Sequence, residues 1–345
     1  MKGIFRHMAE YINRQWRLAA RPVGNFKDSD FTWHEEPVPD LADGQVLVRN
    51  IYLSLDPTNR IWAAQDSYLP AVPLGDVMRG VAVGVVEASR HAGFPVGTFV
   101  QGLLGWQLYY VGNGQGLTPI AKIPGHSLLL YHGVLGAIGL TAYFGLLDIG
   151  RPREGETLVV SAAAGAVGSM VGQIGNIKGC HVVGIAGGPE KCRWIVEDLG
   201  FDAAIDYKHE DVAAALTRYC PKGIDVYFDN VGGAILDAAL ARMNNFGRVV
   251  ACGAISQYTS EKPPAGPANF LLVISKRLRI EGFIVLDYLP RAQEAIPQLL
   301  EWIAQGRLKY RLDVVDGLEQ APRAVQKLFD GSNIGKLVVK VSDEP

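Results

Sequence analysis

Long apolar runs are missing from this chain, and no stretch approaches the roughly 20 residues that a helix needs to cross a bilayer. Residues 1–10 contain no signal-peptide core, so a cytoplasmic location is expected. An excess of one charge is missing as well. Lys and Arg number 33 against 35 Asp and Glu, a formal net charge of −2 that gives no electrostatic reason for nucleic acid or an anionic membrane as partner. Cysteine is scarce: Cys180, Cys192, Cys220 and Cys252 are the whole set, and buried reduced thiols are expected. Their spacing fits neither the four close thiolates of structural zinc nor, with a histidine or carboxylate, a catalytic zinc site, so no metal is expected. Without a metal to polarise an alcohol oxygen, simple alcohol oxidation is disfavoured. Internal repeats and low-complexity tracts are also absent.

What remains is a globular, turn-rich composition with 48% hydrophobic residues and 40 glycines in 345 residues, enough for one or two compact cores. Residues 157–169 are the most informative. Leu158, Val159 and Val160 read as a buried parallel strand, followed by small residues and then a helical pattern. Ala163, Gly165 and Gly168 occupy the three small positions of a dinucleotide-binding turn, alanine standing where the first glycine usually does. Such a turn lets backbone N–H groups and a helix N-terminus approach a pyrophosphate. A second strand at 182–186 completes a βαβ unit. At its end, residues 187–193 offer Gly187, Gly188 and the cations Lys191 and Arg193, but no acid caps the strand to accept ribose hydroxyls. That pattern favours a 2′-phosphate and therefore NADPH. The alternative is that Lys191 and Arg193 are solvated charges on a helix.

The pattern changes near residue 135. Before it, strand-like runs at 45–52, 80–87, 98–102 and 106–111 predict a β-rich domain. After it, strands at 158–160, 182–186, 225–228, 248–252 and 279–283 alternate with helical stretches and predict a doubly wound parallel sheet. A helix is expected over 292–305, ending at Gly306, and strand-like segments at 313–315 and 335–341 are expected to rejoin the first domain. Residues 263–267 read as a short loop.

Six separated segments, 53–57, 136–143, 162–168, 227–233, 252–256 and 331–336, resemble the zinc-independent medium-chain dehydrogenase/reductases. Within them the chain is similar to the branch of prostaglandin reductases, alkenal double-bond reductases and bacterial curcumin reductases. Where zinc alcohol dehydrogenases carry Gly-His-Glu-Gly, it has Val77, Met78, Arg79 and Gly80. The resemblance implies an α/β chain: a GroES-like β-rich catalytic domain over 1–134, a Rossmann NADPH-binding domain over 135–308, and a return to the catalytic domain over 309–345. It also implies a substrate cleft where the domains meet, and a homodimer.

Residue by residue, the resemblance assigns Gly165, Ala166, Val167 and Gly168 to the pyrophosphate, and Lys191 with Tyr207 to the 2′-phosphate end. Asn230 and Asn333 are implied as cofactor contacts; a plain turn-forming role is the alternative for Asn230. Cys252, Gly253, Ala254, Ile255 and Ser256, and then Phe283, Ile284 and Val285, are expected along the nicotinamide side. Tyr258 is the implied catalytic residue: a phenol stays protonated at neutral pH and can donate to a developing enolate. Its alternative is an aromatic lid over the nicotinamide. His132, His181 and His209 show no acid or nucleophile partner in the sequence and read as ordinary polar residues.

One departure stands out. Relatives commonly read Asp-Pro-Tyr-Met-Arg where this chain has Asp56, Pro57, Thr58, Asn59 and Arg60. If that segment lines the pocket, the pocket is wider or wetter here, unless Trp62, Tyr68 and Trp106 rebuild an apolar wall. The expected function is NADPH-dependent reduction of the double bond of enals and enones, substrates to which hydride can be added at the β-carbon without a metal. The alternatives are a quinone reductase and a non-catalytic NADPH-binding protein.

Overall fold

Antiparallel strand pairs build the first half of the molecule, and a parallel sheet builds the second. A computed structural model describes residues 11–262 and 264–345. The opening segment, with its expected lack of a signal-peptide core, lies outside the described residues, as does Pro263 of the expected 263–267 loop. The chain divides into two compact units. One comprises the described residues up to His132 with Asp313–Ser332 and Leu337–Pro345; the other comprises Gly133–Leu312 and Asn333–Lys336.

In the first unit, β1 (Ile12–Leu18) and β2 (Phe31–Pro37) form an antiparallel ribbon pairing Ile12 with Pro37 through Leu18 with Phe31. No strand is expected there from the sequence, because the inward face of β1 carries Asn13 and Gln15, both buried, and so reverses the usual alternation. Then follow β3 (Val46–Ser54), α1 (Thr58–Ala64), β4 (Ala82–Ser89), β5 (Phe99–Gly102), β6 (Tyr109–Gly112) and β7 (Thr118–Ile120). Strands β14 (Leu312–Asp316) and β15 (Lys336–Lys340) join them in a sheet ordered β14-β15-β3-β4-β5-β7, with β6 also paired to β3. The C-terminal strands thus rejoin the β-rich sheet. Leu53, Trp62, Met78, Leu104, Trp106 and Val339 pack in its core.

The second unit places β8 (Thr157–Ser161), β9 (His181–Ala186), β10 (Ala203–Asp206), β11 (Ile224–Asp229), β12 (Met243–Ala251) and β13 (Arg279–Gly282) in one sheet ordered β10-β9-β8-β11-β12-β13. Every pairing is parallel. This is a doubly wound order whose switch point lies between β8 and β11. Strand β10 is absent from the sequence expectation: four residues with two alanines carry little strand signal. The helices include α2 (Ala137–Phe144), α3 (Ala166–Ile177), α4 (Pro189–Arg193), α5 (Val212–Tyr219), α6 (Gly233–Arg242), α7 (Leu271–Ser275) and α8 (Ala292–Ala304). Helix α8 ends before Gly306, which has a φ of +69°, as a glycine stop should. No described helix is long and apolar enough to cross a membrane.

Candidate cofactor site

The C-terminal ends of β10, β9, β8, β11 and β12 carry most of the candidate residues, in that spatial order across the sheet. At the centre, β8 ends at Ser161 and the chain turns sharply. The residue in the left-handed region is Ala162, at φ +47°, rather than Ala163, which is fully buried and gives its N–H to Ile185 O at 2.9 Å. A Cβ on Gly168 would stand 2.4 Å from Ala162 O, and one on Gly165 3.1 Å away. Gly168 therefore needs a residue without a side chain, and Gly165 has little room for one. Gly165 caps α3 with no side-chain hydrogen bond, so the first N–H groups of the helix, on Ala166, Val167 and Gly168, meet no capping oxygen from Gly165. A turn of small residues leading to an uncapped helix N-terminus suits a pyrophosphate. Asn333 is drawn to the same place: its Nδ2 donates to Gly335 O at 3.2 Å, and Gly335 N–H donates to Ala164 O at 2.9 Å.

Across the switch point, a buried network fixes the loop after β11. Asp229, 4% exposed, accepts through Oδ1 from the Tyr227 hydroxyl at 3.0 Å, the Ser161 hydroxyl at 3.1 Å, and the N–H groups of Val231 and Gly232 at 3.0 and 2.9 Å. Burial in this network pushes the Tyr227 phenol well above its ordinary range. Asn230 is tied to β8 by both its ends: the N–H reaches Ser161 Oγ and Nδ2 reaches Ser161 O, each at 2.8 Å. Asn230 thus bridges two strands instead of bracing its own turn. Ser161, Tyr227 and Asp229 carry no expectation from the sequence; their signal is a polar residue ending each of two buried strands beside the switch point.

The loop after β12 locks onto this one. Ile255 and Ser256 donate their N–H groups to Asn230 O and Val231 O at 3.2 Å each, and Ser256 Oγ donates to Val231 O at 2.6 Å. Tyr258 folds back so that its hydroxyl accepts the Ala254 N–H at 3.0 Å, and a Cβ on Gly253 would lie 3.1 Å from that oxygen. Cys252, Gly253, Ala254, Ile255, Ser256 and Tyr258 are therefore gathered with Asn230. The Cys252 thiol is pushed up to about 12 by burial and by Asp229, which makes it a poor nucleophile at neutral pH. Phe283, Ile284 and Val285 follow β13, and the Phe283 ring would stand 2.6 Å from a Cβ on Gly145.

At the far end, the Tyr207 ring lies over Gly187, 2.8 Å from where its Cβ would be, and α4 brings Lys191, half-buried, and Arg193, exposed. Three sequence expectations need correction here. An acid does stand at the end of β9: Asp206, delivered from β10, accepts the Gly188 N–H at 2.8 Å. His209 has an acid partner, its Nδ1 lying 2.8 Å from Asp206 Oδ2, and so has His181, 3.5 Å from Asp202. Cys192 and Cys252 are only partly buried, although all four thiols are free. His132 is buried, with Nε2 2.9 Å from Tyr52 O.

In the first unit, Asn59 is 1% exposed, with Oδ1 on the Asp56 N–H at 2.7 Å and Nδ2 on Arg79 O at 3.0 Å. It braces the start of α1 and does not wet a pocket wall. Thr58 is partly exposed and meets the Tyr68 hydroxyl at 2.8 Å. Trp62 and Trp106 are core residues, while Tyr68 is 42% exposed.

Comparison with known proteins decides the family. Residues 14–120 match the model described as the N-terminal domain of oxidoreductase, and residues 166–305 that described as zinc-binding dehydrogenase. The NADPH-dependent curcumin reductase of Escherichia coli K12 is 44% identical over 96% of this chain and 98% of its own. The NADP(+)-dependent 2-alkenal reductase of Nicotiana tabacum is 41% identical over 98% and 100%. CurA from Vibrio vulnificus, solved in complex with NADPH, is 45% identical with a TM-score of 0.91, covering 96% of this chain and all of that one. The chain is a zinc-independent medium-chain dehydrogenase/reductase. Despite the second model's description, no three His, Cys, Asp or Glu side chains of this reductase converge on a possible metal position among the described residues.

Proposed function

We propose that this chain reduces the carbon–carbon double bond of α,β-unsaturated aldehydes and ketones. Its cofactor is NADPH, which supplies the hydride that reaches the β-carbon. Gly165, Ala166, Val167 and Gly168 would hold the pyrophosphate, and Lys191 with Tyr207 the 2′-phosphate. Asn230, Asn333, Cys252 to Ser256 and Phe283 to Val285 would line the rest. Tyr258 then donates a hydrogen bond to the substrate carbonyl oxygen as negative charge develops there. The observation carrying this reading is the Ala254 N–H on the Tyr258 hydroxyl at 3.0 Å. It fixes the phenol over the loop after β12 and, by polarising the oxygen, strengthens it as a donor.

The test is isotopic. With deuterium at the transferable position of NADPH and an enone substrate, label is expected on the β-carbon and solvent hydrogen on the α-carbon. Label on the carbonyl carbon would make the enzyme a carbonyl reductase and overturn the proposal.

A second copy of the chain is the proposed partner. Strand β13 closes one edge of its sheet, with Ile280 39% exposed. Phe270, Leu271 and Ile274, in and beside the preceding helix α7, are 58–72% exposed. An open apolar edge of this kind favours strand-to-strand pairing. A monomer by sedimentation at micromolar concentration would rule it out.

A further inference from the structure

Arg311 joins two parts of the second unit's cofactor site. Its carbonyl accepts the Lys336 N–H at 2.9 Å, and Gly335, at φ +72°, has no room for a Cβ against that same carbonyl. Gly335 in turn donates its N–H to Ala164 O at 2.9 Å, inside the turn after β8, and bridges in parallel with Gly165. The Arg311 backbone is thereby fastened to the turn that suits a pyrophosphate. Its side chain runs towards the other end of the site: Nη2 stands 3.9 Å from Glu190 Oε1 on α4, and the guanidinium carbon 5.9 Å from the ring centre of Trp194, the residue after α4. Arg311 thus reaches from the glycine turn to the helix that carries Lys191.

The guanidinium is held in place but its donors are not used. A separation of 3.9 Å is too long for a hydrogen bond, and the Arg311 side chain makes none to a described residue. An ion pair of this length, between side chains 48% and 73% exposed, is weak. A phosphate dianion, which a guanidinium meets bidentately, is the stronger partner. Gly188, directly before α4, has nothing within 4 Å of its Cβ position and leaves open space there for such a group. We propose that Arg311 is a second cation for the 2′-phosphate of NADPH, its guanidinium exchanging Glu190 for the phosphate when the cofactor binds. The inference rests on the reading above that places this phosphate at Lys191 and Tyr207. The Trp194 face keeps the guanidinium at the site before the cofactor arrives. Nearby cations have other arrangements: Lys309 turns to Asp198 O, with Nζ at 2.9 Å, and Arg193 is exposed on α4.

Dissociation constants for NADPH and NADH, read from nicotinamide fluorescence without substrate, test the idea in the full-length protein. Arg311→Gln should bind NADPH about tenfold more weakly and NADH within about twofold of the unmodified protein. Arg311→Lys keeps the charge but not the planar fork, and should lose about threefold for NADPH. Glu190→Gln removes the competing carboxylate and should tighten NADPH by about two- to threefold. In the Arg311→Gln background the same change should give less, because no guanidinium remains to be released. Equal gains in both backgrounds would overturn the exchange, since Glu190 would then act by plain repulsion of the phosphate. An Arg311→Gln variant that weakens both cofactors alike, or neither, overturns the assignment of Arg311. Should Arg311→Gln misfold, Arg311→Met reports the same ratio. If Lys191→Ala lowers the preference for NADPH while Arg311→Gln leaves it unchanged, the Arg311 inference fails alone. If neither variant moves it, the placement of the 2′-phosphate fails and the inference with it.

Discussion

The hydroxyl of Tyr258 accepts the backbone N–H of Ala254 at 3.0 Å, four residues back along its own chain. The bond tethers the ring through its oxygen, so removing that oxygen takes away the proposed donor and the Ala254 contact together while the ring itself stays. Tyr258→Phe keeps the ring and should leave the NADPH dissociation constant within about twofold. It should lower kcat with an enone by about tenfold to a few hundredfold, the effect of losing one donor among several. The measurement is single-turnover NADPH oxidation where hydride transfer limits the rate. An unchanged rate constant would reduce Tyr258 to an aromatic lid.

Lys191 sits half-buried in α4, directly after the Gly187 and Gly188 turn. If it meets the 2′-phosphate, Lys191→Ala removes a charge-assisted contact of about 1.5–3 kcal/mol and should lower the preference for NADPH over NADH by roughly ten- to a hundredfold. NADH affinity should stay constant. Calorimetric titration of both cofactors checks this, and equal losses for the two would return Lys191 to the role of a solvated helix charge.

Much of this site can be read in the sequence, for physical reasons. Strands β8 and β9 are apolar over Leu158–Val160 and Val182–Ala186 because both faces of a parallel sheet are covered, and the glycine turn is spelled by sterics that leave no choice of residue at Gly168. What escapes the sequence is tertiary. Asp206 reaches the end of β9 from a neighbouring strand 20 residues along from it, so a search for an acid directly after β9 misses it. The same holds for the partner of His181, and for Asn13 and Gln15, whose burial on β1 inverts the alternation, whereas that of His209 is local, Asp206 standing three residues before it. The polar character of Asn59 suggests a wetter pocket, yet its amide is consumed by the backbone.

Asn59→Ala should therefore act on stability and not on substrate choice. It leaves the Asp56 N–H and the Arg79 carbonyl without their buried partner, at a cost of about 2–4 kcal/mol. In a unit of this size that lowers Tm by about 4–16 °C, measured by scanning calorimetry. The order of preference across an enone panel should not change. An unaltered Tm with a changed substrate order would put Asn59 back on a pocket wall.

Glu156 and Arg248 make the strongest test of electrostatics in the second unit. Arg248 Nη1 and Nη2 reach the two carboxylate oxygens at 3.0 and 2.5 Å, and both side chains are less than one-fifth exposed. Burial alone pushes the Glu156 carboxyl up; the guanidinium and the Arg153 N–H outweigh it and hold the group below its ordinary range. A carboxyl depressed in the folded state adds stability that is complete above its unfolded value of about 4.3 and is lost as pH falls through the folded value. Glu156→Gln should thus be less stable than the unmodified protein at pH 7, by about 1–3 kcal/mol. The gap should close below about pH 4, as the unmodified protein loses the same ion pair by protonation. Chemical denaturation across pH 3–8 measures both limbs, and a gap that stays constant down to pH 3 would show that Glu156 is held by packing and neutral hydrogen bonds instead of by its charge.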